Sequence, residues 1–480
     1  MTYWKKISMT VAAMAALGLV LPAARAQQDT GAPKPAAREY PPILPGQIDP
    51  DPGAPQPADV LPDTRPLTGA QEFSIGTVPA RHSYWAPGFR FANFWGSNPA
   101  GATRAGQWVS TSYFVGTLSL RKNWIRSSLA MNYSGGGSFS TAESASELTG
   151  SFHQLGLVQQ FDWQRWKLSL IDQFSYSTST SFGFGGGTNI DLPGIGGALG
   201  GNLPGLQNNY VPVQSIFGSI GPRYSNGGVA QVEYLLTKRS SLVVSGSYGI
   251  LRFTEPKNID VNNTIFSGGY NYQISGKDYI GVVYHFSDYR YLGSPQALAD
   301  HSAQFAYGRK LTGRIGLQLF GGPEITVFRR PIVNETQRIG GAGGAALAYS
   351  LSRGQIGINY SHGLTGGSGL LVGSTSDQVQ LQGSRQLSRR YTGQFGFGYA
   401  RNKSLESSKS IIPGQTFNGY FTNVGLNHPM GRNANLNVGY TLQKQTADAT
   451  FCVTAACGTS YTQHRISIGF DWHTRPYVIE

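Results

Sequence analysis

Asn435-Leu436-Asn437-Val438-Gly439-Tyr440-Thr441-Leu442-Gln443 changes character at every step. Leu436, Val438, Tyr440 and Leu442 fall on one side of an extended chain, and Asn435, Asn437, Gly439, Thr441 and Gln443 on the other, because a strand repeats every two residues. The stretch follows a short basic turn, Gly431-Arg432, and leads into a long loop. Arg465 to Trp472 repeats the pattern, with Ile466, Ile468, Phe470 and Trp472 set against Arg465, Ser467, Gly469 and Asp471. So does Tyr279 to Ser287, with Ile280, Val282, Tyr284 and Phe286 set against Gly281, Val283, His285 and Ser287.

Similar short turns recur at Arg121-Lys122-Asn123, Gln164-Arg165, Lys238-Arg239, Gly276-Lys277, Gly313-Arg314, Arg353-Gly354 and Arg389-Arg390. Runs of about ten to fourteen residues flank each turn, so each reads as the tip of a long β-hairpin. Tight turns at one end and long loops at the other are the asymmetry of a transmembrane β-barrel. A β-propeller would also repeat at roughly 36 to 43 residues, but a blade divides that length into four short strands, and here each period holds two long ones. The predicted fold is all-β, a transmembrane antiparallel up-and-down β-barrel.

The chain opens with Lys5-Lys6, an apolar stretch from Ile7 to Leu21, and Ala24-Arg25-Ala26, which reads as a secretory signal over residues 1–26. No later apolar run approaches the roughly 20 residues a membrane helix needs, so a spanning part must be a barrel. Residues 27–80 hold twelve prolines and few apolar side chains, which predicts a disordered periplasmic segment, either a plain spacer or a tether. The barrel is expected over 81–480. Trp124, Trp163, Trp166, Tyr391 and Trp472 gather at hairpin ends, where interfacial girdles belong.

Composition agrees with this class. Only 13% of residues are charged and 64 are glycine, against about 25% charge in ordinary soluble domains. The formal charge of +13 falls by three to +10 when Lys5, Lys6 and Arg25 leave with the signal. Much of the excess sits in the short turns, where it solubilises hairpin tips or meets anionic headgroups. No basic helix or nucleic-acid motif accompanies it, so no nucleic-acid partner is expected.

Seventeen strand segments can be counted from Gln107 to Trp472, and closing a single-chain barrel with periplasmic termini requires one more ahead of them. Trp85 to Trp95 is the suitable stretch, giving about eighteen strands; sixteen is the other count allowed, if weak segments such as Gly340 to Ser352 pair differently. One external loop stands out, from Ser177 to Arg223, with Phe184, Asp191, Ile195 and Leu206 among its glycines and prolines. Its apolar residues suit the barrel mouth, where Phe184, Asp191, Ile195, Leu206 and Arg223 would form a pore constriction. A surface flap packed on its neighbours is the other arrangement open to it.

Ser83-Tyr84-Trp85, Gly221-Pro222-Arg223-Tyr224-Ser225-Asn226, Phe320-Gly321-Gly322-Pro323-Glu324 and Trp472-His473-Thr474-Arg475-Pro476 carry a resemblance to porin-like outer-membrane β-barrel proteins of Gram-negative, acidobacteria-like lineages. The barrel plan also resembles general porins, whose third loop constricts the pore; here that loop lacks an acidic cluster. The resemblance implies an outer-membrane location, insertion by barrel-assembly machinery, and lipid and lipopolysaccharide as surroundings.

Catalytic and metal chemistry finds no motif: the eight histidines are scattered, and neither a Gly-x-Ser-x-Gly elbow nor a His-Glu-x-x-His is present. No cofactor is expected. The only cysteines, Cys452 and Cys457, lie in the last external loop and are expected to form a disulfide in an oxidising compartment. The expected function is passive diffusion of small hydrophilic solutes, with a non-conducting structural or polysaccharide-associated surface barrel as the alternative. Glu233, Arg252 and Asp471 are candidate lumen charges, and Arg252, Arg290, Lys310 and Arg401 would give a mild preference for anions.

Overall fold

The computed structural model describes residues 83–97, 108–141, 150–177, 222–254, 259–292, 296–329, 336–366, 371–388, 390–405, 416–431, 433–447, 461–475 and 477–479. Its strands are β1 (Ser83–Ser97), β2 (Trp108–Asn123), β3 (Ser127–Ser140), β4 (Gly150–Asp162), β5 (Trp166–Ser177) and β6 (Arg223–Leu235). Then come β7 (Ser240–Phe253), β8 (Asp260–Gln273), β9 (Asp278–Leu292), β10 (Ala297–Lys310), β11 (Ile315–Arg329) and β12 (Gln337–Leu351). The chain finishes with β13 (Gly354–Thr365), β14 (Ser374–Gln386), β15 (Thr392–Ser404), β16 (Thr416–Pro429), β17 (Ala434–Ala447), β18 (Tyr461–His473) and the short β19 (Tyr477–Ile479).

Each of β1 to β18 pairs antiparallel with its sequence neighbours, and β1 meets β18 from Gly88↔His473 to Gly96↔Arg465, so the sheet closes on itself as an eighteen-stranded barrel. Closure matters because an open edge would leave ladder groups unpaired in lipid. β19 extends the seam, pairing Tyr477–Ile479 with Ser83–Trp85. The first strand is the one closure required. The sixteen-strand count does not hold, because glycine-rich β12 pairs with β11 along most of its length and with β13 along its lower part. The first tight turn lies at Trp124–Arg126, three residues beyond Arg121-Lys122-Asn123, which belong to β2 and pair with Ser128–Ala130 of β3. The tip is aromatic because it sits at an interface, so polarity alone misplaced it.

Cross-strand register assigns every side chain to one of two faces. Val282 on β9, Phe305 on β10 and Phe114 on β2 are 55%, 53% and 45% exposed and point outward, while Ser245, Ser267 and Val115 on the opposite face are 1% exposed. A sheet with its large apolar side chains outside and its serines, glutamines and asparagines inside has the polarity of a barrel set in lipid. Trp124, Trp163, Trp166, Trp472 and Tyr477 stand outward at the short-turn rim, with Trp166 against Tyr234 at 4.3 Å and Trp85 stacked on Tyr477 at 5.0 Å.

A second outward ring lies higher. Tyr133, Tyr284, Tyr360 and Tyr440 each stand six residues up from the first residue of their strands. Three of these hydroxyls are hydrogen-bonded to Nδ1 of a histidine on the next strand: Tyr133–His153 at 2.9 Å, Tyr284–His301 at 2.7 Å and Tyr440–His464 at 2.8 Å. Tyr360 instead donates to Asp377 Oδ1 at 3.1 Å, which His362 Nδ1 meets at 2.7 Å. At about 3.4 Å per residue and a tilt near 40° this ring stands roughly 16 Å above the short-turn rim, within an apolar band of about 25 Å, where a hydroxyl needs the partner it has.

Above that ring the facing rule inverts. On β9, Ile280, Val282, Tyr284 and Phe286 point outward, but Asp288 and Arg290 follow them, while Tyr289 and Tyr291 turn inward and are buried. β7 and β8 do the same, with Arg252 and Asn262 outward and Leu251 and Val261 inward. The strands therefore outrun the apolar layer, and their external ends have a polar outside and an apolar inside.

Candidate functional site

The lumen is built from the inward halves of the alternation. On β14 these are Gln378, Gln380, Gln382 and Ser384; on β17 they are Asn435, Asn437, Thr441, Gln443 and Gln445; on β18, Gln463, Ser467 and Asp471. Amide and hydroxyl side chains present both donors and acceptors, so this wall wets readily without a strong field. Asn359 and Gln382 are exposed, whereas the inner face of β7 to β9 is covered, as at Ser241, Asn263 and Ser267. Solvent therefore reaches the wall formed by β13 and β14.

Some charges on the inner face are matched across the ladder. Arg90 and Asp471, 9% and 4% exposed, form an ion pair across the β1–β18 seam, and Asn437 Nδ2 donates to the same carboxylate. Lys167 stands opposite Glu233 in the β5–β6 register. Arg465 lies 5.6 Å over the Phe94 ring, beside the inward cluster of Ala92, Phe94, Tyr113, Val115 and Phe152. Asp300 accepts from Thr326 Oγ1 at 3.1 Å, and Glu324 Oε1 accepts the Leu364 N–H at 3.2 Å.

The Glu324 contact passes over a glycine run. Glu324 is on β11 and Leu364 is at the top of β13, so the carboxylate reaches across β12. A Cβ at Gly340 would stand 3.9 Å from Glu324 Oε2 and one at Gly363 3.7 Å from Oε1, ordinary contact distances. The closest constraint in Gly340-Gly341-Ala342-Gly343-Gly344 is backbone: a Cβ at Gly343 would stand 2.7 Å from the Phe320 carbonyl oxygen and one at Gly344 would strike that of Tyr360.

Leu364 is the root of the loop between β13 and β14, whose described parts turn inward over the external mouth. A Cβ at Gly366 would lie 3.1 Å from the Tyr289 ring of β9. Leu371 packs with Phe417 of β16 and Ala447 of β17, while Val372 joins the cluster of Leu251, Val261, Tyr289, Tyr291, Leu298, Leu364 and Leu405. Gly373 has φ +76°, and a Cβ there would strike the side chains of Leu298 on β10 and of Leu405, the residue after β15. The described ends of this loop, residues 366 and 371–373, thus reach strands from β8 round to β17 at the external opening.

Of the residues singled out from sequence, Arg223 begins β6 with its side chain on the lumen side, directly opposite Ser177, so the long loop leaves and returns at a paired position. Glu233 is buried on the inner face, and Asp471 is in the seam ion pair. Arg252 is placed otherwise: it faces outward, donating to the carbonyls of Leu251 at 2.9 Å and Val261 at 3.0 Å, because Leu251 turns inward to the mouth cluster. Arg290 and Arg401 share that outward parity, so three of the four cations behind an anion preference lie outside the lumen. Phe184, Asp191, Ile195 and Leu206, the pair Cys452 and Cys457, and the segments 1–26 and 27–80 lie outside the described residues. The β13–β14 loop was missed, although Leu370-Leu371-Val372 between glycines carries the same apolar signal as the 177–223 segment.

No protein-family model matches the chain, and no curated protein matches it. Among solved structures, it is similar to Pseudomonas aeruginosa OccK2 (OpdF), with TM-score 0.43 and 11% identity over 82% of this chain and 98% of that one. Acinetobacter baumannii OccAB3 gives TM-score 0.41 and 8% identity over 82% and 99%. A BenF-like porin from Pseudomonas fluorescens gives 0.42 and 9% over 82% and 99%.

Proposed function

We propose that the chain is an outer-membrane channel through which small hydrophilic solutes diffuse passively. The observation that carries this reading is the two-sided polarity of a closed barrel, with an apolar exterior and an inner wall of amides and hydroxyls that solvent reaches along β13 and β14. Diffusion requires no reacting group, and we read the chain as a conduit rather than an enzyme. Residues 1–26 would serve as its export signal, 27–80 as a periplasmic spacer, and Cys452 with Cys457 as a disulfide of the last external loop. Lipopolysaccharide and the barrel-assembly machinery are the partners this life history implies.

The 177–223 loop and the β13–β14 loop are then two candidates for the constriction, with Phe184, Asp191, Ile195, Leu206 and Arg223 as the contribution of the first. Purified protein reconstituted in liposomes should admit small sugars, read as osmotic swelling, and deletion of the glycine-rich core of 177–223 should speed the swelling if that loop narrows the path. Liposomes that fail to swell with either parent or deletion, while the barrel remains heat-modifiable on gels, would support the non-conducting structural reading.

A further inference from the structure

Outside the lumen, on the outward face near the external ends of β9, β10 and β11, one carboxylate is held between two arginines. Arg290 Nε donates to Asp288 Oδ2 at 2.8 Å, and Arg329 Nη1 lies 3.1 Å from Asp288 Oδ1. The Asp288 side chain is 7% exposed, whereas those of Arg290 and Arg329 are 68% and 50% exposed. Beside them Arg252 is tied down by Asn262 and lies 3.9 Å from Asp260. The three arginines exceed the two aspartates by one charge; Asp288 is hidden beneath Arg290 and Arg329, whereas Arg252 is itself more covered than Asp260.

Each guanidinium offers five N–H donors in a plane. Arg290 is hydrogen-bonded to Asp288 and Arg329 is ion-paired with it, so two exposed guanidinium groups are held side by side by one buried carboxylate. Two such forks side by side match the oxygens of a phosphate ester, which accept charge-assisted, bidentate hydrogen bonds.

Depth identifies the source of the phosphate. Arg252 and Arg290 each stand twelve residues up from the first residue of their strands. At about 3.4 Å per residue and a tilt near 40°, that places them roughly 30 Å above the short-turn rim, beyond an apolar band of about 25 Å. The site also lies above the Tyr284–His301 pair and above the inversion of facing on β9. An outward face at this height meets lipid headgroups.

We propose that Arg290 and Arg329, bridged by Asp288 and flanked by Arg252, form a binding site for the phosphate of an outer-leaflet lipid. The site rests on the outer-membrane placement of the barrel but not on its ability to conduct. The full chain in detergent should bind bis-phosphorylated lipid A about tenfold or more tightly than the same lipid with its phosphates removed, since each arginine near such a surface contributes measurably. Arg290→Gln with Arg329→Gln should abolish that difference, whereas Lys122→Gln, on the outer face at the opposite rim, should leave it intact. All variants should remain heat-modifiable barrels. Equal affinity for both lipids, a double substitution that leaves the preference intact, or displacement of the lipid by millimolar inorganic phosphate would overturn the proposal. A conductance defect in the parent would bear on the channel reading alone.

Discussion

Arg90 and Asp471 illustrate how single residues hold the seam. Both are nearly buried on the inner face, and together with Asn437 they form a closed polar unit between the first and last long strands. Removing one partner leaves the other charge desolvated, a cost of about 3–5 kcal/mol, whereas replacing both with apolar groups costs far less. Asp471→Ala should therefore lower the temperature at which the folded band converts on gels, and Arg90→Met combined with Asp471→Leu should restore most of the loss. Equal behaviour of the single and double variants would show that the pair does not secure the seam. Gly373 makes a separate point. Its φ of +76° costs a substituted residue roughly 1–2 kcal/mol, and an added methyl meets Leu298 and Leu405. Gly373→Ala should displace the β13–β14 loop and raise conductance without changing barrel melting. Glu324→Ala, which frees the Leu364 N–H at the loop's root, should act in the same direction.

Among the elements, strands were legible wherever alternation met lipid on one side and water on the other, as in β17 and β18. Legibility failed where that physical contrast changes. At the short-turn rim Trp124 and Ile125 occupy a turn that polarity assigned to Arg121-Lys122-Asn123. At the external rim the strands leave the bilayer, the mouth cluster draws Leu251 and Tyr289 inward, and Arg252 and Arg290 consequently face out. Parity along β7 and β9 is unbroken, so counting outward from a mid-strand residue such as Val282 would have placed both arginines. Asp172 stands in the outward row of Leu168, Leu170 and Phe174, an otherwise apolar register, and accepts from Asn226 Nδ2 at 3.2 Å. The β13–β14 loop is an element with its own test. Thr365 and Ser374 are paired, so residues 366–373 can be replaced by a tight turn without shifting register. That deletion should enlarge single-channel conductance; an unchanged value would assign the constriction elsewhere, with 177–223 the next segment to delete.

For the whole molecule, the balance of lumen charge decides selectivity. Arg90 with Asp471 and Lys167 opposite Glu233 cancel locally, and the amide wall of β14, β17 and β18 adds no net charge. Beyond those pairs the described inner face carries Arg121, Arg223, Lys310, Arg338 and Arg465 against Asp300 and Glu324. A salt gradient across the channel should therefore give a small reversal potential of anion-preferring sign, kept weak because Arg252, Arg290 and Arg401 lie on the outer face. A strong potential of either sign would mean that charges beyond this inner wall govern passage. The channel itself stands or falls on one recording: the purified full-length protein in a planar bilayer of defined lipid under potassium chloride. Discrete, ohmic conductance steps that grow when residues 366–373 are shortened are the predicted result, and a folded, inserted barrel that passes no current with either loop trimmed would contradict it.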